Sequence, residues 1–142
     1  MSDIELKPLN WSPQPGLGYT VARRQDGGLN FVFTKTDPVT MKHWRDFVEG
    51  HLLDSDRLTR NLYDLSQVGE LPRQAIEYAV EAGNDPSMRN IRLAVVVSNE
   101  TVQQGVERII ALTSAPGGVE MAVFTEVELA DAWLNRPLTL VV

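Results

Sequence analysis

The chain has 142 residues, 43% hydrophobic and 23% charged, and no cysteine. A chain of this length buries roughly 68–70% of its unfolded surface, enough for one domain with a real core, while the missing thiols exclude a disulfide framework and a thiolate metal site. With 13 basic against 19 acidic residues the net charge is −6, so a nucleic-acid partner, which needs a broad basic face, is not expected.

Residues 1–16 hold Pro8, Pro13 and Pro15 among scattered polar residues, a composition that favours an extended arm. Trp11 is expected to pin that arm to the body, since an indole is better covered than wet. A strand pattern over 17–24, the turn residues Gln25-Asp26-Gly27-Gly28, and the alternation of Leu29, Phe31 and Phe33 against Asn30, Val32 and Thr34 predict a β-hairpin. The period then changes. Thr36-Asp37-Pro38 offers a cap and a first-turn proline, and Met41, Trp44, Phe47, Val48 and Leu52 recur at helical spacing. This helix is expected to end by 54–58.

A short buried strand is predicted over 62–65, and a second helix from about Pro72 with Ala75, Ile76, Ala79 and Val80 inward, stopped by Gly83-Asn84-Asp85-Pro86. Residues 91–97 are apolar and mostly β-branched except for Arg92, the pattern of a strand covered on both faces. Ser98-Asn99 can cap a third helix with the stripe Val102, Val106, Ile109, Ile110 and Thr113, ended by Pro116-Gly117-Gly118. A fifth strand over 119–124 reads as nearer an edge. Thr125 and Glu128 have capping-box spacing before a short helix through Leu129, Ala132 and Trp133. The order β-β-α-β-α-β-α-β-α predicts an α/β layered fold: a mostly parallel five-stranded sheet begun by an antiparallel hairpin. The organisation expected is an arm over 1–16, a domain over 17–136 and an apolar, strand-like tail over 137–142.

The inventory for catalysis is thin. His43 and His51 sit about 80° apart on the first helix, so they are read as solvated and no metal site is expected. Gly16-Leu17-Gly18 precedes a strand instead of opening a helix and is a loop, not a phosphate cradle. No Gly-x-Ser-x-Gly elbow exists, and Glu77 and Glu81 mark an outer helix face. Asp64, at the carboxyl end of an apolar strand, stands where open α/β sheets place ligand-contacting groups; the plainer role is to accept amides of the following loop. Ser98 and Asn99 stand at a strand-to-helix junction, whose free amides hold either an anion or only their own helix.

The stretch Asn61-Leu62-Tyr63-Asp64-Leu65-Ser66-Gln67-Val68, then a helix, then Ile91-Arg92-Leu93-Ala94-Val95-Val96-Val97-Ser98-Asn99-Glu100, resembles the SpoIIAA-like family. That family belongs with the STAS domains and resembles the CRAL-TRIO lipid-binding fold; the likeness spans about 17–136. It implies a layered β/α domain that binds a protein or an apolar ligand, with no established catalysis. The STAS antagonists carry a phosphorylatable serine at the next helix start. Here Leu71-Pro72-Arg73-Gln74 has no hydroxyl, which argues against a switch of that kind.

The resulting expectation is a non-enzymatic, SpoIIAA/STAS-like binding domain without cofactor. It would hold an apolar or amphipathic small molecule or lipid, in one version at a membrane surface, with Trp44, Phe47, Tyr63, Asp64, Ser98 and Asn99 as ligand-binding residues. The alternative is a protein-interaction module, a homodimer or a regulatory partner; an enzyme of unknown type is third. The polar start of the chain, lacking a basic and an apolar leader region, goes with a cytoplasmic place.

Overall fold

The computed structural model describes residues 11–25, 28–51, 59–84, 90–113 and 120–136. Strands β1 (Tyr19–Arg23) and β2 (Leu29–Phe33) form the antiparallel hairpin. They are followed by α1 (Pro38–His51), β3 (Thr59–Asp64), α2 (Arg73–Gly83), β4 (Asn90–Val96), α3 (Glu100–Leu112), β5 (Glu120–Phe124) and α4 (Val127–Leu134). The sheet runs β1-β2-β3-β4-β5, and every pairing after the hairpin is parallel. The architecture is the one the element order predicts.

Alternation along the strands creates two unequal faces. Tyr19, Val21, Leu29, Phe31, Phe33 and Val95 point to one side, where Met41, Trp44 and Val48 of α1, Ala75 of α2 and Val102 and Val106 of α3 close over them. Leu62, Ala94 and Val96 point to the other, beneath Ala130 and Leu134 of α4. Strand β4 is therefore covered on both sides, and β5 is an edge strand, as its half-buried pattern implies.

The hairpin joins α1 through one tight approach. The Gly18 carbonyl accepts the Thr34 and Lys35 amides at 2.7 and 3.2 Å, while the Gly18 amide donates to Thr40 Oγ1 at 3.0 Å. A Cβ at position 18 would lie 2.3 Å from the Lys35 Cβ, so glycine is needed for contact distance.

Buried polar groups complete the frame. Asn61, fully buried, accepts the Leu29 amide at 2.9 Å, joining the starts of β3 and β2. Arg92, the break in the apolar β4, is 5% exposed. Its Nη1 donates to the carbonyls of Trp133 at 3.0 Å and Arg136 at 2.7 Å, and its Nε pairs with Glu120 at 3.2 Å. The guanidinium thus closes the carboxyl end of α4, where the helix leaves carbonyls unpaired and the dipole is negative. Arg24 ties the middle of α4 through Asp131 at 2.7 Å.

Some details differ from the sequence reading. β3 begins three residues before 62, at Thr59, because the polar run Thr59-Arg60-Asn61 hides its start. Thr125 does not cap α4: Glu126 holds the cap position and makes no side-chain cap bond. His43 is not simply solvated, since its Nδ1 shares a 2.7 Å hydrogen bond with Tyr19 Oη. Trp11 lies against Tyr19 with ring centroids 5.6 Å apart. Residues 1–10 and 137–142, Leu52 and the expected helix end at 54–58, and the turn at Asp26-Gly27 lie outside the described residues, as do the breaks Asp85-Pro86 and Pro116-Gly117-Gly118 and the side chain of His51.

Candidate binding site

Six residues were singled out by the sequence, and the structure sorts them into two neighbouring groups that meet at the end of β3. Asp64, Ser98 and Asn99 lie at the carboxyl edge of the sheet. Asp64 Oδ1 accepts the Ser66 amide at 2.9 Å and the Ser66 hydroxyl at 2.6 Å, which is the turn-organising role. Ser98 Oγ donates to the Ser66 carbonyl at 2.6 Å. Asn99 caps α3 by accepting the Val102 amide at 2.8 Å, and its Nδ2 donates to the Val68 carbonyl at 3.3 Å. The β3–α2 loop is consequently fastened to the start of α3 by two side chains that also mark the end of β4. Beside them an open cleft of about 390 Å³ is lined by Val97, Ser98, Asn99, Glu100, Gln103, Gln104, Glu107 and Thr125. Polar residues outnumber apolar ones in its lining, and Glu100 and Glu107 make it acidic.

Trp44, Phe47 and Tyr63 lie between α1 and the sheet. Tyr63 stacks on Phe31 at 4.3 Å with the rings 2° from parallel. Trp44 meets Tyr63 edge-on at 6.0 Å, and its indole N–H donates to Tyr63 Oη at 3.3 Å. Phe47 meets Phe31 edge-on at 6.2 Å. The bank continues through Phe33, which stacks on Tyr19 at 5.0 Å. Such offset and edge-on pairs add to the apolar area they bury.

Two phenols inside this bank are held neutral. Burial pushes the Tyr19 phenol up to about 12. Burial also raises the Tyr63 phenol well above its ordinary value, against the opposing pull of the Trp44 N–H. Neither is suited to act as a phenolate near neutral pH. The Tyr63 oxygen accepts from Trp44, and no described group accepts the Tyr63 proton. A phenol inside a protein ordinarily finds an acceptor.

The sequence named Tyr63 as a candidate ligand-binding residue, and it missed the Tyr19–His43 contact, whose partners stand 24 residues apart. Among the described residues no cluster of three or more His, Asp or Glu could hold a metal ion. No described helix is long and apolar enough to cross a membrane.

No family model matches the chain, and no curated protein sequence does. Among solved structures, it is similar to an uncharacterized protein of the DUF3478 family from Shewanella loihica PV-4, described as having a SpoIIAA-like fold. The two superpose with a TM-score of 0.61 at 19% identity, over 87% of this chain and 98% of the other. The chain has a SpoIIAA-like fold. The sheet order, the opening hairpin and the alternating helices of this SpoIIAA-like fold agree with the resemblance seen in residues 61–68 and 91–100.

Proposed function

We propose that this SpoIIAA-like chain is a non-enzymatic binding module for an amphipathic small molecule, with an expected place in the cytoplasm. The apolar part of the ligand lies against Trp44, Phe47 and the Tyr63 ring, its oxygen-bearing end meets the Tyr63 hydroxyl, and Asp64, Ser98 and Asn99 hold the loop at the entry. The observation that carries the reading is the Tyr63 hydroxyl: it accepts the Trp44 N–H at 3.3 Å and donates to no described group. A carboxylate or ester oxygen entering beneath the β3–α2 loop would take that proton. The fit of such a ligand to an apolar wall with a few placed polar groups follows the usual build of small-molecule sites. Entry requires the loop to lift, and the Ser98–Ser66 and Asn99–Val68 bonds are the contacts that must open.

Calorimetric titration with oleate tests this. Saturable binding to the wild type, weakened about tenfold in Tyr63→Phe by loss of one hydrogen bond to a charged group, is the expected result. No heat beyond dilution in the wild type contradicts it.

A second reading is favoured by the edge strand. The outer side of β5 pairs with no other described strand, and Leu129 on the adjoining α4 is 54% exposed. Exposed strand edges invite pairing with another chain. Light scattering would give a dimer mass for the full chain and a monomer mass for Leu129→Glu; a monomer at all concentrations contradicts this reading.

A further inference from the structure

The sheet register brings three arginines into one row on the α4 face, and one of them has no use in the fold. Arg24 lies opposite Gly28 at the end of the hairpin, its amide donating to the Gly28 carbonyl at 2.8 Å. Gly28 is followed two residues later by Asn30, the partner of Leu62, so Arg60 takes the next place in the row. Arg60 is in turn the register partner of Arg92, and Arg92 of Glu120. Glycine 28 puts no side chain between Arg24 and Arg60. The outer two arginines have structural work: Arg24 holds Asp131 and Asn30, and Arg92 closes α4 and pairs with Glu120. Arg60 has none. It makes no hydrogen bond or ion pair among the described residues, and its Nε is buried without a partner.

Like charges placed directly opposite on neighbouring strands destabilise a sheet, and a buried donor left unpaired carries a desolvation cost. An oxyanion accepting from Arg60 would pair the orphaned Nε and offset the repulsion between Arg60 and Arg92. A guanidinium presents its donors in a planar fork that matches the oxygens of phosphate, and it does so with a weak hydration shell. Asp131 and Glu120 pair with the outer two arginines, so Arg60 carries the one positive charge of the row without a carboxylate among the described residues, in a chain of net charge −6.

We propose that Arg60, flanked by Arg24 and Arg92, anchors a binding site for a phosphate group at the amino-terminal edge of the sheet, on the α4 face. The site is on the opposite side of the sheet from Tyr63 and goes beyond the ligand reading above. The phosphate belongs either to a free molecule or to a lipid headgroup; the recognising chemistry is the same for both.

The test is a two-dimensional amide NMR titration of the full chain with inorganic phosphate. Saturable shifts confined to the starts of β3 and β4 and to the last turn of α4 are expected. Arg60→Gln should weaken the affinity by about tenfold or more, and Arg60→Lys, which keeps the charge but loses the fork, should fall between. Arg73→Gln, a change in an exposed pair on α2, should bind as the wild type does. Sedimentation with phosphatidylcholine vesicles, with and without phosphatidylglycerol, separates the sources: Arg60-dependent sedimentation with the anionic vesicles assigns a headgroup, and phosphate binding without it assigns a free ligand. Absence of saturable shifts in the wild type overturns the proposal whatever the variants do, and so does equal affinity in a folded Arg60→Gln.

Discussion

The two faces of the sheet are held by different physics. On the α1–α2–α3 face, fifteen buried apolar residues, four of them aromatic, form one continuous core among the described residues. On the α4 face the corresponding cluster has five, and two buried arginines supply what the apolar contacts do not. The first face is a store of non-directional burial, to which many residues contribute in parallel. The second depends on a few directional bonds to one short helix, so it should be the first part of the domain to open. A fold built this way can keep its main core intact while α4 and the cationic row beneath it respond to solution conditions.

Breaking the stronger side should cost most. Phe31→Ala removes a fully buried ring that stacks on Tyr63, and urea denaturation should show a loss of about 3–5 kcal/mol. Next is Arg92→Ala, which leaves the Trp133 and Arg136 carbonyls without their donor. A loss of about 1–3 kcal/mol is expected, localised by hydrogen exchange to α4 while α1 keeps its protection. Equal loss of protection on both faces would remove the distinction between them.

The aromatic face also has its own pH signature. Because the Tyr19 phenol ionises near 12 in the fold instead of its ordinary 10, its stabilising contribution is complete below pH 10. Between those values the unfolded chain releases the proton and the folded chain keeps it, so stability falls as pH rises from 10 toward 12. Tyr63, shifted in the same direction, adds to the effect. Denaturation midpoints measured across that range should decline in the wild type and decline less in Tyr19→Phe. The smallest effect expected is from Tyr63→Phe, about 1 kcal/mol, through the stranded Trp44 N–H; thermal melts would resolve it.

The element order was legible because each helix and strand carries its own periodicity, and the alternation of Leu29, Phe31 and Phe33 matches their burial. Asn99 as a helix cap and Asp64 as a turn organiser were legible too, since both act on amides within three residues. Contacts between distant segments left no such trace. Arg92 stood out as a break in an apolar strand, yet its partners at residues 133 and 136 come from a helix that only the fold brings near. Likewise Asn61 looks like a loop residue until the Leu29 amide is placed against it. The Thr125 box failed because the helix starts one residue later than the spacing suggests, with Glu126 at the cap. For the site, the sequence named the aromatic and polar residues but could not show that Tyr63 and Asp64, adjacent in β3, divide between two environments.

Native mass spectrometry of the purified full chain, followed by organic extraction, examines the binding role without presuming a ligand. The expected spectrum contains a species heavier than the bare chain by one small amphipathic molecule, recovered in the extract and displaced by oleate. A bare mass, with an empty extract and no response to oleate or to vesicles, would contradict it.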